Sequence, residues 1–225
     1  MKRKAFISLL LLIPAPSIGV LFGMVWMPGT LIGNSIYLFC KAWILFLPAL
    51  WFFYAEGGRF SRPRTLPGGL RMGLLTGLAA SVAIGALYLM FGERLIDPAT
   101  VRELAAGIKL DRKLYYAGSA LNWICINSLL EEYVWRWFVM RQCVRLMKPS
   151  AAMLVSALGF ALHHVLAMQL YLSGPLTLLG GVGVFSAGLL WAWLFIRYKT
   201  IWPGWLSHVL VDIAVFGIGY VLIFG

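Results

Sequence analysis

Charge is scarce in this chain. Of its 225 residues only 12% are Asp, Glu, Lys or Arg, while 61% are hydrophobic. A soluble domain carries about 25% charged and about 45–50% apolar residues. From Pro149 to Ile196 there is no Asp, Glu, Lys or Arg, enough chain for two membrane spans of roughly 20 residues each, turning at Ser173-Gly174-Pro175. Ten-residue segments of alternating polarity are missing, which excludes a membrane β-barrel. The three cysteines, Cys40, Cys125 and Cys143, show no CxxC or His-rich spacing, so they read as small core residues. No internal repeat, low-complexity tract or second domain is visible. The expected fold is all-α, a polytopic transmembrane helical bundle, with residues 1–225 as a single membrane-embedded domain.

Seven apolar spans can be drawn, at about 5–26, 31–54, 69–91, 114–139, 150–172, 176–196 and 201–224. The basic residues alternate between the connections. Lys2, Arg3 and Lys4 precede the first span, whereas 27–40 is uncharged. Arg59, Arg62, Arg64 and Arg71 flank the second loop, Arg141, Arg145 and Lys148 follow the fourth span, and Arg197 and Lys199 follow the sixth. Basic loops are cytoplasmic in this orientation rule, which gives N-terminus in and C-terminus out. The same distribution accounts for the +11 net charge without a nucleic-acid partner. Residues 1–17 have the make-up of a signal peptide, but the apolar run continues to Trp26, and a retained anchor is expected. Segment 94–113 reads as a short amphipathic helix beginning near Asp97-Pro98, either a surface connector or a lid lying on the lipid. The Gly/Pro/Arg loop at 56–69 reads as an orientation signal. Trp26, Trp51, Trp202 and Trp205 are expected at the membrane interfaces. Gly180-Gly181 and Gly217-x-Gly219 are expected where helices pack closely.

A few polar residues interrupt this background: Glu131, Glu132 and Arg136 in the fourth span, Asp212 in the seventh, Lys41 in the second, and His163, His164 and His208, the only histidines. A charged side chain at a helix centre costs about 2.5–3.5 kcal/mol to insert, so each asks for a compensating reason. Lys41 is expected to snorkel or pair. Glu132 and Arg136 are four apart and can pair on one helix face. Glu131 is rotated from Glu132 by about 100°, onto the face of Asn127 and Trp135. An arginine lowers a carboxylate's pKa and desolvation raises it, and a general base working near neutrality needs the raised value. Glu131 is therefore the candidate base and Glu132 the structural member. His208 and Asp212 are four apart, on a stripe with Gly204 that admits a neighbouring helix. Counted from their cytoplasmic ends, Glu131 lies about two and a half turns deep, His164 about four and His208 about two. One pocket in the cytoplasmic half or middle of the membrane is the expected result. This reasoning leaves open whether His163 or His164 takes part.

Glu131-Glu132-x-x-x-Arg136, Phe160-x-x-x-His164 and His208-x-x-x-Asp212, in that order on three apolar segments, resemble the three-motif signature of the CAAX protease and bacteriocin-processing family. These are intramembrane glutamic proteases that include the Ras-converting enzyme. The resemblance covers roughly 114–224, which would be the catalytic helices. It implies that Glu131 and His164 activate a water for attack on a peptide carbonyl, and that His208 with the residue four positions on stabilises the oxyanion. The Phe-x-x-x-His spacing selects His164. The family commonly has Asn where this chain has Asp212. An amide donates to an oxyanion, whereas an ionised Asp repels it, so Asp212 either orients His208 or stays protonated.

Other classes remain to be weighed. Polar pairs also act as plain glue between membrane helices, which would make the chain a non-catalytic scaffold. The same cluster could relay protons or bind a cation in a transporter, although the repeats and broken helices of transporters are missing. Two Glu, the His and the Asp could hold zinc, but the His-Glu-x-x-His pattern of intramembrane metalloproteases is absent. The expectation is therefore a metal-independent peptidase without cofactor. It would act on a membrane-associated protein or peptide in contact with lipid, in a bacterial inner membrane as the short loops suggest. Oligomeric state and the identity of the substrate are not legible.

Overall fold

The computed structural model describes residues 2–59 and 66–225, and of Glu93 the backbone only. In chain order the helices are α1 (Lys2–Trp26), α2 (Leu31–Ala55), α3 (Gly69–Leu95), α4 (Pro98–Gly107), α5 (113–131), α6 (132–143), α7 (Pro149–Met168), α8 (Gly174–Tyr198) and α9 (Trp202–Phe224). Among the described residues there is no strand. Six of these helices, α1, α2, α3, α7, α8 and α9, are long and apolar enough to cross a membrane. The fourth expected span falls on α5 and α6, whose polar residues set it apart, and with it the all-α chain has about seven spans. Of the expected orientation loop at 56–69, Phe60–Thr65, including Arg62 and Arg64, lie outside the described residues.

Local chemistry sets the helix starts. Thr30 is extended, and its Oγ1 accepts from Gly33 N at 3.1 Å to open α2. Asp97 accepts from Ala99 N at 3.0 Å and from Thr100 Oγ1 at 2.7 Å. Pro98 follows in the first turn, where no N–H is needed, so the expected helix at Asp97-Pro98 is present. The turn expected at Ser173-Gly174-Pro175 is displaced toward the N-terminus. Ser173 is extended, but Gly174 and Pro175 already belong to α8, because proline fits the first helical turn.

The described chain divides into two compact units, Met1–Thr65 with Glu132–Ile201 and Leu66–Glu131 with Trp202–Gly225. The first holds α1, α2, α6, α7 and α8. Lipid removes most of the hydrophobic drive between helices, so packing relies on small residues and polar contacts. A Cβ on Gly23 would stand 2.7 Å from Tyr37 Cβ, which brings α1 onto α2, and Trp43 Nε1 donates to Leu11 O at 2.8 Å. On the facing side of α7 and α8, a Cβ on Gly181 would stand 2.8 Å from Val165 Cγ2 and one on Gly180 2.8 Å from Met168 Sδ, as expected for that pair. Cys40 and Cys143 are buried here. Lys41 is exposed, its Nζ 5.5 Å from the centroid of the Tyr37 ring one turn earlier.

The second unit holds α3, α4, α5 and α9. Gly204 is buried in α9, and glycines of α3 come close to the same helix. A Cβ on Gly73 would stand 2.3 Å from Pro203 O, and one on Gly77 2.9 Å from Ser207 Cα. Thr76 Oγ1 reaches Ser207 Oγ at 3.4 Å, and Ser81 Oγ donates to Leu210 O at 2.8 Å. Of the pair Gly217 and Gly219, only Gly219 meets a neighbour, Tyr116 Oη at 2.6 Å from its would-be Cβ. Large apolar side chains such as Leu89 and Leu114 are more than four-fifths exposed, as lipid-facing residues are in a chain that crosses a membrane.

Candidate active site

Glu131 and Glu132 fall on opposite sides of the division between the units, so the polar residues form two groups. The helical turns here are not uniform. They widen to i→i+5 hydrogen bonding over Asn122–Asn127 and again over Glu132–Met140, with ordinary α-turns over Ser128–Glu131 between them. Such widened turns often occur at functional positions. The residue pattern gave no sign of them.

In the second unit Glu131 is held from both sides. Asn127, four residues earlier, donates Nδ2–H to Glu131 Oε1 at 2.8 Å. Glu131 Oε2 lies 3.5 Å from Nε2 of His208. Asp212 Oδ2 lies 3.8 Å from the same nitrogen, one turn further along α9. His208 Nε2 therefore faces two carboxylates, and its side chain is only 6% exposed. Both separations exceed ordinary hydrogen-bond length, and active sites commonly tighten only around substrate. Behind His208 stand Ser207, Thr76 and the glycine approach of α3, which fix where α9 sits. None of these supporting residues was singled out from the sequence. Their only signal there is small-residue spacing in α3, Gly73-x-x-x-Gly77.

In the first unit the Glu132–Arg136 pair is buried completely, with Arg136 Nε 3.4 Å from Glu132 Oε1. The guanidinium carbon lies 4.5 Å from the Phe160 ring centroid and 5.1 Å from that of Trp191. Cation–π contacts of this kind contribute about 0.5–2 kcal/mol, more when desolvated, and with the carboxylate they offset much of the insertion cost of Arg136. Phe160 has a second duty, since its carbonyl is 2.8 Å from His164 Nδ1. A carbonyl only accepts, so Nδ1 carries the proton and a neutral His164 presents the Nε2 lone pair. That is the tautomer a base needs. His163 lies flat on Trp135, with ring centroids 5.6 Å apart and planes 6° apart, and Trp135 O accepts from Ser156 Oγ at 3.1 Å. The two imidazoles are neighbours at 4.2 Å between centroids.

The geometry thus brings Glu131, His208 and Asp212 together in one unit, and Glu132, Arg136, Phe160, His163 and His164 together in the other. Glu56 also emerges as a structural residue. Its carboxylate accepts from Arg145 Nη2 at 3.0 Å and Gln142 Nε2 at 2.7 Å, which ties the end of α2 to the end of α6. Sequence had placed Glu56 in an orientation loop. Its long-range partners, far away in the chain, could not be read there.

Comparison with known proteins adds one finding. A family model described as Type II CAAX prenyl endopeptidase Rce1-like matches residues 114–214, a segment that contains Glu131, Glu132, Arg136, His163, His164, His208 and Asp212. No curated protein and no solved structure matches the chain. Over residues 114–214 the chain is similar to that family, in agreement with what its three motifs resemble.

Proposed function

We propose that the chain is an intramembrane glutamic endopeptidase whose catalytic helices lie within 114–224 of one membrane-embedded domain. The family supports protease activity on a membrane-associated protein. The finer reading assigns the chemistry. Glu131 takes a proton from a water molecule, a role that the resemblance also gives to His164, and the water oxygen attacks the peptide carbonyl carbon. His208 Nε2–H donates to the oxyanion that forms, where a fixed donor lowers the barrier most. Asp212 holds His208 toward that oxygen. The proton held on the Glu131 and His164 side then passes to the leaving amide nitrogen. The C–N bond breaks, giving a new carboxylate and a new amine. Glu132 and Arg136 keep the helix turns around Glu131 in place.

The observation that carries this reading is the setting of Glu131. One carboxylate oxygen is fixed by Asn127 and the other faces the imidazole of His208, an arrangement in which protons can be exchanged, unlike a pairing with arginine. The substrate enters from the membrane or the cytoplasmic side and must unwind locally to offer its carbonyl. Localisation in a bacterial inner membrane with the N-terminus inside belongs to the same proposal. Quantitative mass spectrometry of protein termini in cells carrying wild type or Glu131→Gln tests it. A small set of membrane-associated proteins should keep intact tails or leaders only in the mutant. Indistinguishable termini, with the mutant present at normal level, would move the scaffold and transport readings ahead. Metal independence predicts that 1,10-phenanthroline leaves processing unchanged in isolated membranes; inhibition reversed by zinc would restore the metalloprotease reading.

A further inference from the structure

Helix α8 supplies none of the residues in the three motifs. Its face toward α7 nevertheless reaches the centre of the first unit. A Cβ on Gly188 would stand 3.2 Å from Ala157 Cα and 3.3 Å from Phe160 Cδ1, so α8 meets the α7 backbone at this glycine. Trp191 is three residues further on, on the same helix face. It is 2% exposed, its ring centroid is 6.0 Å from that of Phe160 at 70° between planes, and it lies 5.1 Å from the Arg136 guanidinium carbon.

We propose that Trp191 is a positioning residue of the peptidase. It closes the second aromatic face on Arg136 and braces the ring of Phe160, the residue on which both polar motifs of this unit depend. Arg136 fixes Glu132, the covalent neighbour of Glu131, and the Phe160 carbonyl fixes the His164 tautomer. A planar guanidinium stacks on aromatic faces and keeps its charge in any surroundings, which suits it to a fixed strut. An aliphatic side chain of similar volume at 191 would fill the space and leave one face of the guanidinium without a π-system. The helix that brings Trp191 there needs Gly188 to come close enough. This gives α8 a role in catalysis although it has no catalytic residue. The proposal rests on the peptidase reading for its catalytic consequence.

The test compares Trp191→Phe and Trp191→Leu in the full chain, purified in detergent and scaled to folded protein. The probe is a farnesylated fluorogenic peptide ending in Cys-aliphatic-aliphatic-X. Trp191→Leu should lower kcat about tenfold or more with KM changed less than about threefold, as misplacement of catalytic groups does. Trp191→Phe should keep kcat within about threefold. A wild-type kcat for Trp191→Leu, a Phe variant as poor as the Leu variant, or a loss confined to KM would each overturn the proposal. A second arm measures unfolding midpoints of Trp191→Leu, Arg136→Met and the double variant. Destabilisation that is clearly less than additive supports action through Arg136, and additive values refute it. If wild type leaves the peptide intact, the peptidase reading fails for this substrate class, and the unfolding cycle alone decides whether Trp191 acts through Arg136.

Discussion

Glu131 and Glu132 are adjacent and chemically identical, yet they occupy opposite settings. Glu132 is wholly buried against Arg136, a partner that keeps its charge under all conditions. The Glu131 side chain is 16% exposed, accepts from the Asn127 amide and faces the imidazole of His208. An arginine partner gives a buried carboxylate a fixed counterion. An amide and an imidazole leave it able to take a proton and pass it on. Within an apolar segment a carboxylate must have some partner, and the kind of partner separates a strut from a base.

The largest expected effect follows from that contrast. Glu131→Gln should lower processing by about 10²–10⁴-fold, the usual worth of a positioned general base, in a protein that still accumulates and elutes as wild type. Glu132→Gln should act on folding instead, since it leaves the Arg136 charge buried without its counterion, a loss of about 3–5 kcal/mol. Adding Arg136→Met to Glu132→Gln should recover much of that stability, because removing both charges costs less than removing one. Thermal unfolding in detergent reads both. If Glu131→Gln kept full processing while Glu132→Gln abolished it in a folded protein, the two roles would be exchanged.

Asp212 sharpens the comparison from the His208 side. If it orients His208, Asp212→Asn retains an acceptor oxygen beside Nε2, and processing should stay within about tenfold of wild type. Asp212→Leu removes that oxygen and should cost about tenfold to a hundredfold, less than the loss of an oxyanion donor itself. Equal rates for the Leu variant and wild type would leave Asp212 without a part in orientation.

The sequence made some of this legible for clear reasons. The span positions follow from the cost of putting charge into lipid, and the pairs Glu132–Arg136 and His208–Asp212 follow from one-turn spacing, which depends only on neighbours in the chain. The start of α4 was readable because Asp97 and Pro98 satisfy the first turn by themselves. The hidden features depend on distant contacts or on backbone winding. Residue identity does not announce the widened turns at Asn122–Asn127 and Glu132–Met140. Nothing in the sequence singles out Trp191, because its contact with Phe160 depends on how α8 packs on α7. The close approach of Gly73 and Gly77 to α9 was not legible, because which helices meet depends on contacts far apart in the chain.

Helix α6 also allows the buried pair to be compared with a wetter one. Beyond Arg136, at the other end of that helix, Arg145 and Arg141 meet Glu56, with the Arg145 side chain 32% exposed and that of Glu56 10%. Burial pushes the Glu56 carboxyl up, but hydrogen bonds from Arg145 and Gln142 and the charges of Arg145 and Arg141 outweigh it and hold it below the ordinary carboxylate value. A carboxyl lowered on folding stabilises the protein above its unfolded pKa of about 4.3, and that contribution is lost as pH falls through the lower folded value. At neutral pH Glu56→Gln should therefore destabilise by about 1–2 kcal/mol, a modest effect because water and salt screen the arginines. Below about pH 4 the unfolding midpoints of wild type and variant should converge, since the wild-type carboxyl is then protonated too. Added salt should narrow the neutral-pH gap here but leave the Glu132→Gln deficit nearly unchanged, because the buried pair is out of reach of mobile ions. A gap at Glu56 that persisted in acid would mean that the shape of the side chain, and not its charge, ties α2 to α6.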